Sequence, residues 1–224
     1  MPSANHNDLF GKLTSQTTPH LFISQKSCNF ANRKDNENKT QILHIMNSLR
    51  NIKDVARYLG ISLLAKGQSV SPLKLQKILY YTQSWYMVYF GKDNTLFKEN
   101  PQAWVNGPVY PEIYKEYRTK VESMRDDLKA IHFGCTEDNL PKEAEKLAIK
   151  MALSFDEIEC IKSILHLYGK MTQDQLVFLS HSEDPWADQR RGLKPFDQSS
   201  NEISLETMYT YYKTRYDNNR KNKA

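Results

Sequence analysis

From Ser71 to Gly91 the chain reads SPLKLQKILYYTQSWYMVYFG, a stretch whose apolar side chains leave no continuous polar face. Leu75, Ile78, Leu79, Tyr80, Tyr81, Trp85, Tyr86, Tyr89 and Phe90 fall on nearly every side of a period of about 3.6 residues. A helix made of such residues must be enclosed by other elements rather than laid on a surface. Its ends are set locally: Ser71 supplies a capping hydroxyl, Pro72 a first-turn residue without an N–H, and Gly91 a stop. This stretch predicts a central, buried helix over Pro72–Phe90 with a shell of other elements around it.

The shell is legible on both sides. Ile52, Val55, Ala56, Leu59 and Leu63 make one apolar stripe and predict a helix over about 49–65. Pro111, followed by Glu112, opens another that carries Ile113, Tyr114 and Tyr117, and a further helix is expected from Pro141 to about Leu153. Ser154 with Glu157, and Thr172 with Gln175, form capping boxes for helices ending near Gly169 and Ser180. Asp184 is read as the cap of a short helix beginning at Pro185, with His181 bonding back to the preceding helix end and Trp186 packing inward. A last amphipathic helix spans about Leu205 to Tyr216. Between Asp93 and Pro111 the helical period is lost, and Pro101, Gly107 and Pro108 punctuate an extended stretch around Ala103, Trp104 and Val105. Leu128 to Phe133 reads as strand or irregular. The expected fold is mainly α: a single helical domain with a small extended or hairpin segment near 95–110.

Residues 1–45 differ in character: Asn, Ser, Thr, Gln and Lys dominate, and no sustained period runs through them, so a disordered extension is expected. Met46 is read as the translation start, with the helical domain over 46–216 and a basic, disordered tail over 217–224. The net charge of +5 sits mostly at the two ends, each with an excess of two positive charges, which leaves the body near neutral. A near-neutral body is a weak nucleic-acid surface, so no nucleic acid is expected. No apolar window reaches the roughly 18 residues of a membrane span, and no signal-peptide pattern opens the chain. Cys28, Cys135 and Cys160 are odd in number and unpaired in spacing, as in a reducing cytoplasm.

Reactive motifs are missing. The histidines at 6, 20, 44, 132, 166 and 181 show no metal-ligand spacing, and no phosphate-binding glycine loop or GxSxG occurs. No metal, cofactor or enzymatic activity is expected. His132 could meet Cys135 across a turn, but such a pair is far more often structural. Asp126 with Asp127 and Glu183 with Asp184 read as solvated acid pairs. Val55 to Ser62 imitates the first helix and turn of a helix-turn-helix, yet the second helix fails at Gly67.

Three clusters remain: Ser71 to Tyr81, Ala103 to Tyr114, and Leu179 to Trp186. In this order and at these separations they resemble the Panacea domain of SocA-like antitoxins, which also occurs in phage-associated proteins. The resemblance covers about residues 50–212. Its motif positions here are Leu75, Lys77, Leu79, Tyr80 and Tyr81; Gly107, Pro108 and Val109; and His181, Asp184 and Pro185, all read as mainly structural. The resemblance implies a cytoplasmic antitoxin that neutralises a cognate toxin, encoded by an adjacent gene, through direct binding. The alternative it implies is an adaptor that delivers the toxin to a protease, with DNA-binding regulation a more distant reading. Interfaces favour aromatics and arginine. On that ground the partner surface is placed at Trp104, Tyr110, Tyr114 and Tyr117, with Arg190 and Arg191 beside Trp186.

Overall fold

The computed structural model describes residues 50–221. The polar extension over 1–45, the start at Met46, Cys28 and residues 222–224 of the basic tail lie outside the described residues. In chain order the elements are α1 (Ile52–Leu64), α2 (Pro72–Phe90), β1 (Gln102–Trp104), β2 (Gly107–Val109), α3 (Pro111–Arg118), α4 (Leu140–Lys150), α5 (Phe155–Tyr168), α6 (Gln173–His181), α7 (Asp184–Gln189) and α8 (Leu205–Lys221). The fold is mainly helical, with one small antiparallel hairpin pairing Gln102 with Val109 and Trp104 with Gly107.

α2 is the axis of the molecule. Every residue from Pro72 to Met87 is buried, and α1, α3, α5, α6, α8 and β2 all pack against it. Its start follows from Ser71, whose Oγ accepts the Lys74 N–H at 3.1 Å, and Gly91 ends it at a φ of +102°. Aromatic rings from three helices interlock around it: Tyr81 stacks on Tyr168 of α5 at 4.2 Å, and Trp85 meets Tyr212 of α8 edge-on at 5.3 Å. The Trp85 indole N–H donates to the Tyr168 hydroxyl at 2.8 Å, so a large buried ring keeps its one donor satisfied.

Outside this axis, α1 lies on α4 and on a 3-10 turn at Ala130–Phe133. That turn stands where a strand or irregular segment was expected. The Lys129 N–H donates to His132 Nδ1, and Gly134 closes the turn at a φ of +71°, so local side-chain bonding wins over the short apolar pattern. α1 also runs unbroken through Gly60, so the turn that a helix-turn-helix requires does not form. An added Cβ at Gly60 would strike the Phe133 ring, which fixes glycine there for packing.

Two further boundaries differ from expectation. Asp184 is the first residue of α7, and Glu183 holds the cap position without capping, because its carboxylate is engaged elsewhere. α8 continues past Tyr216 to Lys221, so residues 217–221 of the expected tail are helical. Lys213 reaches Asp217 one turn on, at 2.6 Å, which supports that extra length. The segment before α8 pairs with the hairpin edge: Ala103 N–H donates to Asn201 O and Ile203 N–H to Pro101 O, both at 2.8 Å.

Candidate functional site

The three sequence clusters meet at the hairpin. Gly107, at the head of β2, has a φ of +95°, and an ideal Cβ there would lie 2.6 Å from Ser180 Oγ and 2.7 Å from Lys77 Cε. Glycine is required twice over, by backbone conformation and by the close approach of α2 and α6. Lys77 has no exposed surface, and its ammonium donates to the Pro108 carbonyl at 2.8 Å. Burial holds that amine well below its usual range. One residue earlier, Gln76 Oε1 accepts the Tyr110 N–H at 2.8 Å. Two neighbouring polar side chains of α2 therefore fasten the outgoing strand.

From the other side the hairpin is held by α6 and α7. His181 stacks on Trp186 at 3.8 Å and 7°, and the Trp186 indole donates to the Trp104 carbonyl at 2.9 Å. His181 lies beside the Val105 backbone, and its Nε2 is shut off from solvent without a partner. Burial, reinforced by the charges of Lys77 and Arg190, pushes this imidazole down to about 4. Arg190 is 93% buried by its 7% exposure, and it knots the corner: NH1 donates to Ala103 O at 3.0 Å, and NH2 to Asp197 O at 2.8 Å with longer bonds to the Lys194 and Pro195 carbonyls. It also lies over the Trp186 ring at 5.4 Å.

A second buried polar group sits one residue before Asp184. Glu183 Oε2 accepts the Tyr212 hydroxyl at 2.6 Å and the Tyr81 hydroxyl at 3.2 Å, while Oε1 pairs with Arg215 at 3.0 Å. Desolvation outweighs these favourable partners and raises its carboxyl to about 7. Elsewhere Arg50 forms a two-pronged pair with Glu157, at 2.8 and 3.1 Å, and Tyr86 bonds the same carboxylate. Glu157 Oε2 closes the capping box on the Ser154 N–H at 2.7 Å as well.

Placed one by one, the motif residues Leu75, Leu79, Tyr80 and Tyr81 form the core of α2, Val109 and Pro185 are buried, and Asp184 is exposed. Of the residues expected at a partner surface, Trp104, Tyr114 and Trp186 are half-buried and Arg191 is exposed, and Trp104 meets Tyr114 edge-on at 4.9 Å. Tyr110 and Tyr117, each 1% exposed, belong to the core, as does Arg190. Arg190 holds the hairpin through the Ala103 carbonyl, the Tyr110 ring packs edge-on against Phe97, and the Tyr117 ring packs against Phe133 of the 3-10 turn. Two exposed residues that the sequence reading passed over, Leu193 and Phe196, stand on the loop that Arg190 knots, with Phe196 84% exposed. His132 and Cys135 are not brought into partnership: Cys135 Sγ donates to the Ala130 carbonyl. The Glu183 cage was also missed, since its partners lie 29 and 102 residues away in sequence.

These contacts define a mainly helical protein built around an enclosed helix, in which polar side chains act as internal fasteners. Residues 75–187 match the family described as antitoxin SocA-like, Panacea domain, and the chain belongs to that family. No curated protein and no solved structure matches alongside it. Membership carries an antitoxin-like role and implies a protein partner. Among the described residues, no helix is long and apolar enough to cross a membrane.

Proposed function

We propose that this protein is the antitoxin of a two-gene system and neutralises its toxin in the cytoplasm by direct, non-catalytic binding. The observation that carries the reading is the use made of the motif residues. Lys77, Gly107, Pro108 and His181 are spent on fastening the hairpin between α2 and the α6–α7 corner. What that corner offers to the outside is a preordered surface of aromatic edges, Trp104, Tyr114 and Trp186, joined by Leu193, Phe196 and Arg191. Preordering lowers the entropy lost on binding, and exposed aromatics beside arginine suit a protein partner.

The test is coexpression with the product of the adjacent reading frame. That product alone is expected to arrest growth, and the wild-type chain to restore it. Trp104→Ala combined with Phe196→Asp is expected to retain the circular dichroism and melting temperature of the wild type but lose rescue. Failure of the wild-type chain to rescue would remove the antitoxin reading; rescue by the double variant would move the surface elsewhere. The toxin's half-life separates sequestration, which leaves it intact, from delivery to a protease.

A further inference from the structure

Every residue from Arg191 to Gln198 is exposed, yet the chain there has a fixed course. Buried Arg190 holds it from beneath: one guanidinium nitrogen donates to the carbonyls of Lys194, Pro195 and Asp197, and the other ties the same corner to Ala103 of the hairpin. Gly192, at a φ of +82°, turns the chain back after α7. Asp197 then closes a four-residue turn twice, its N–H donating to Lys194 O at 3.1 Å and its Oδ2 accepting the Lys194 N–H at 2.9 Å. Pro195 occupies the second position of that turn and fixes its own φ. Phe196 is left at the third position, on the tip, with an exposure of 84%.

An apolar ring in water is unfavourable, and one held on a turn with this many backbone bonds cannot retreat into the fold. Its surroundings narrow what covers it. Exposed charges between Asp188 and Asp197 balance, Arg191 and Lys194 against Asp188 and Asp197, and Arg191 pairs with Asp188 at 2.8 Å. An anionic lipid surface or a nucleic acid is met by an excess of cations, which this tip lacks. The notch beside Lys74 is lined by polar groups, among them Gln68, Ser71, Asp127 and Lys170, and gives the ring of a second copy no apolar seat. A convex, neutral tip of fixed shape suits an apolar pocket in another protein, where the ring is buried at little further cost in ordering.

We propose that Phe196 is a plug that enters an apolar pocket on the partner protein, with the Arg190-held turn keeping it extended. The identity of that partner rests on the antitoxin reading, so the probe is the purified product of the adjacent reading frame, titrated calorimetrically with the full chain. Phe196→Ala should weaken binding about thirtyfold at an unchanged melting temperature. Phe196→Leu should recover part of the loss, and Phe196→Trp, oversized for a pocket fitted to a phenyl ring, should not. Pro195→Gly, which keeps the ring and loosens the turn, should weaken binding about threefold. No binding by the wild-type chain removes the antitoxin reading and the plug's partner with it. Tight wild-type binding that Phe196→Ala leaves unchanged overturns the plug alone, and Phe196→Trp binding as tightly as the wild type overturns the pocket in favour of a flat contact. Phe196-dependent dimers in sedimentation, or Phe196-dependent binding to phosphatidylglycerol vesicles, overturn the proposal in favour of a second copy or a membrane.

Discussion

Gly107 shows how much a single position can be asked to do. Its positive φ alone costs a non-glycine residue about 1 to 3 kcal/mol, and a methyl group would also press on Lys77 and Ser180. Gly107→Ala should therefore lower the urea midpoint by at least that strain, whereas the exposed neighbour Asn106→Ala should leave it unchanged. Equal midpoints for the two variants would contradict the role assigned to the hairpin head. Glu183 gives a pH-dependent counterpart. Its carboxyl is raised from 4.5 to about 7 in the folded chain, so the folded state holds this proton more tightly than the unfolded one. The associated stability is fully present below about pH 4.5 and is lost as pH rises through about 7. Glu183→Gln keeps an acceptor for Tyr212 and Tyr81 without the charge. Its stability relative to the wild type should climb across that window by on the order of 3 kcal/mol, read from urea unfolding at a series of pH values. Parallel curves would sink the assignment.

At the level of elements, α8 closes the aromatic cluster over α2 and completes the Glu183 cage with Tyr212 and Arg215. Ending the chain at Ser204 should abolish cooperative unfolding followed by near-ultraviolet circular dichroism, since Trp85 and Glu183 would lose their cover together. Tyr212→Phe, which keeps the ring and loses one hydroxyl, should cost only about 1 to 2 kcal/mol. How well each element could be read from sequence tracks the range of the interactions that make it. α2, with Ser71, Pro72 and Gly91 as its punctuation, and α5, with the Ser154–Glu157 box, are specified within a few residues and were legible end to end. The turn at Ala130–Phe133 depends on a His132 to Lys129 bond with no periodic signature, and the Asp184 cap was misplaced because Glu183 answers to α8 rather than to its own helix. The hairpin was visible as glycine and proline punctuation. Which of its neighbours face outward was not, because burial of Tyr110, Tyr117 and Arg190 follows from packing across distant segments.

Over the whole of the described residues, a buried ion-pair fastener stands just before α1. Arg50 enters a pocket of Met151, Glu157 and Tyr86, spanning 107 residues to reach its carboxylate partner. Arg50→Met should destabilise the chain by about 3 to 5 kcal/mol by stranding the Glu157 charge, and adding Glu157→Gln should recover part of the loss. Additive losses in the double variant would show that the two residues act separately. The enclosure of α2 has a consequence of another kind. A helix touched on every side cannot be retuned at one position without disturbing several neighbours at once, so the chain has little freedom to change from within. On the proposed reading, novelty in what it recognises falls to exposed side chains beside this core, such as Arg191, Leu193 and Phe196, where a substitution disturbs little of the packing.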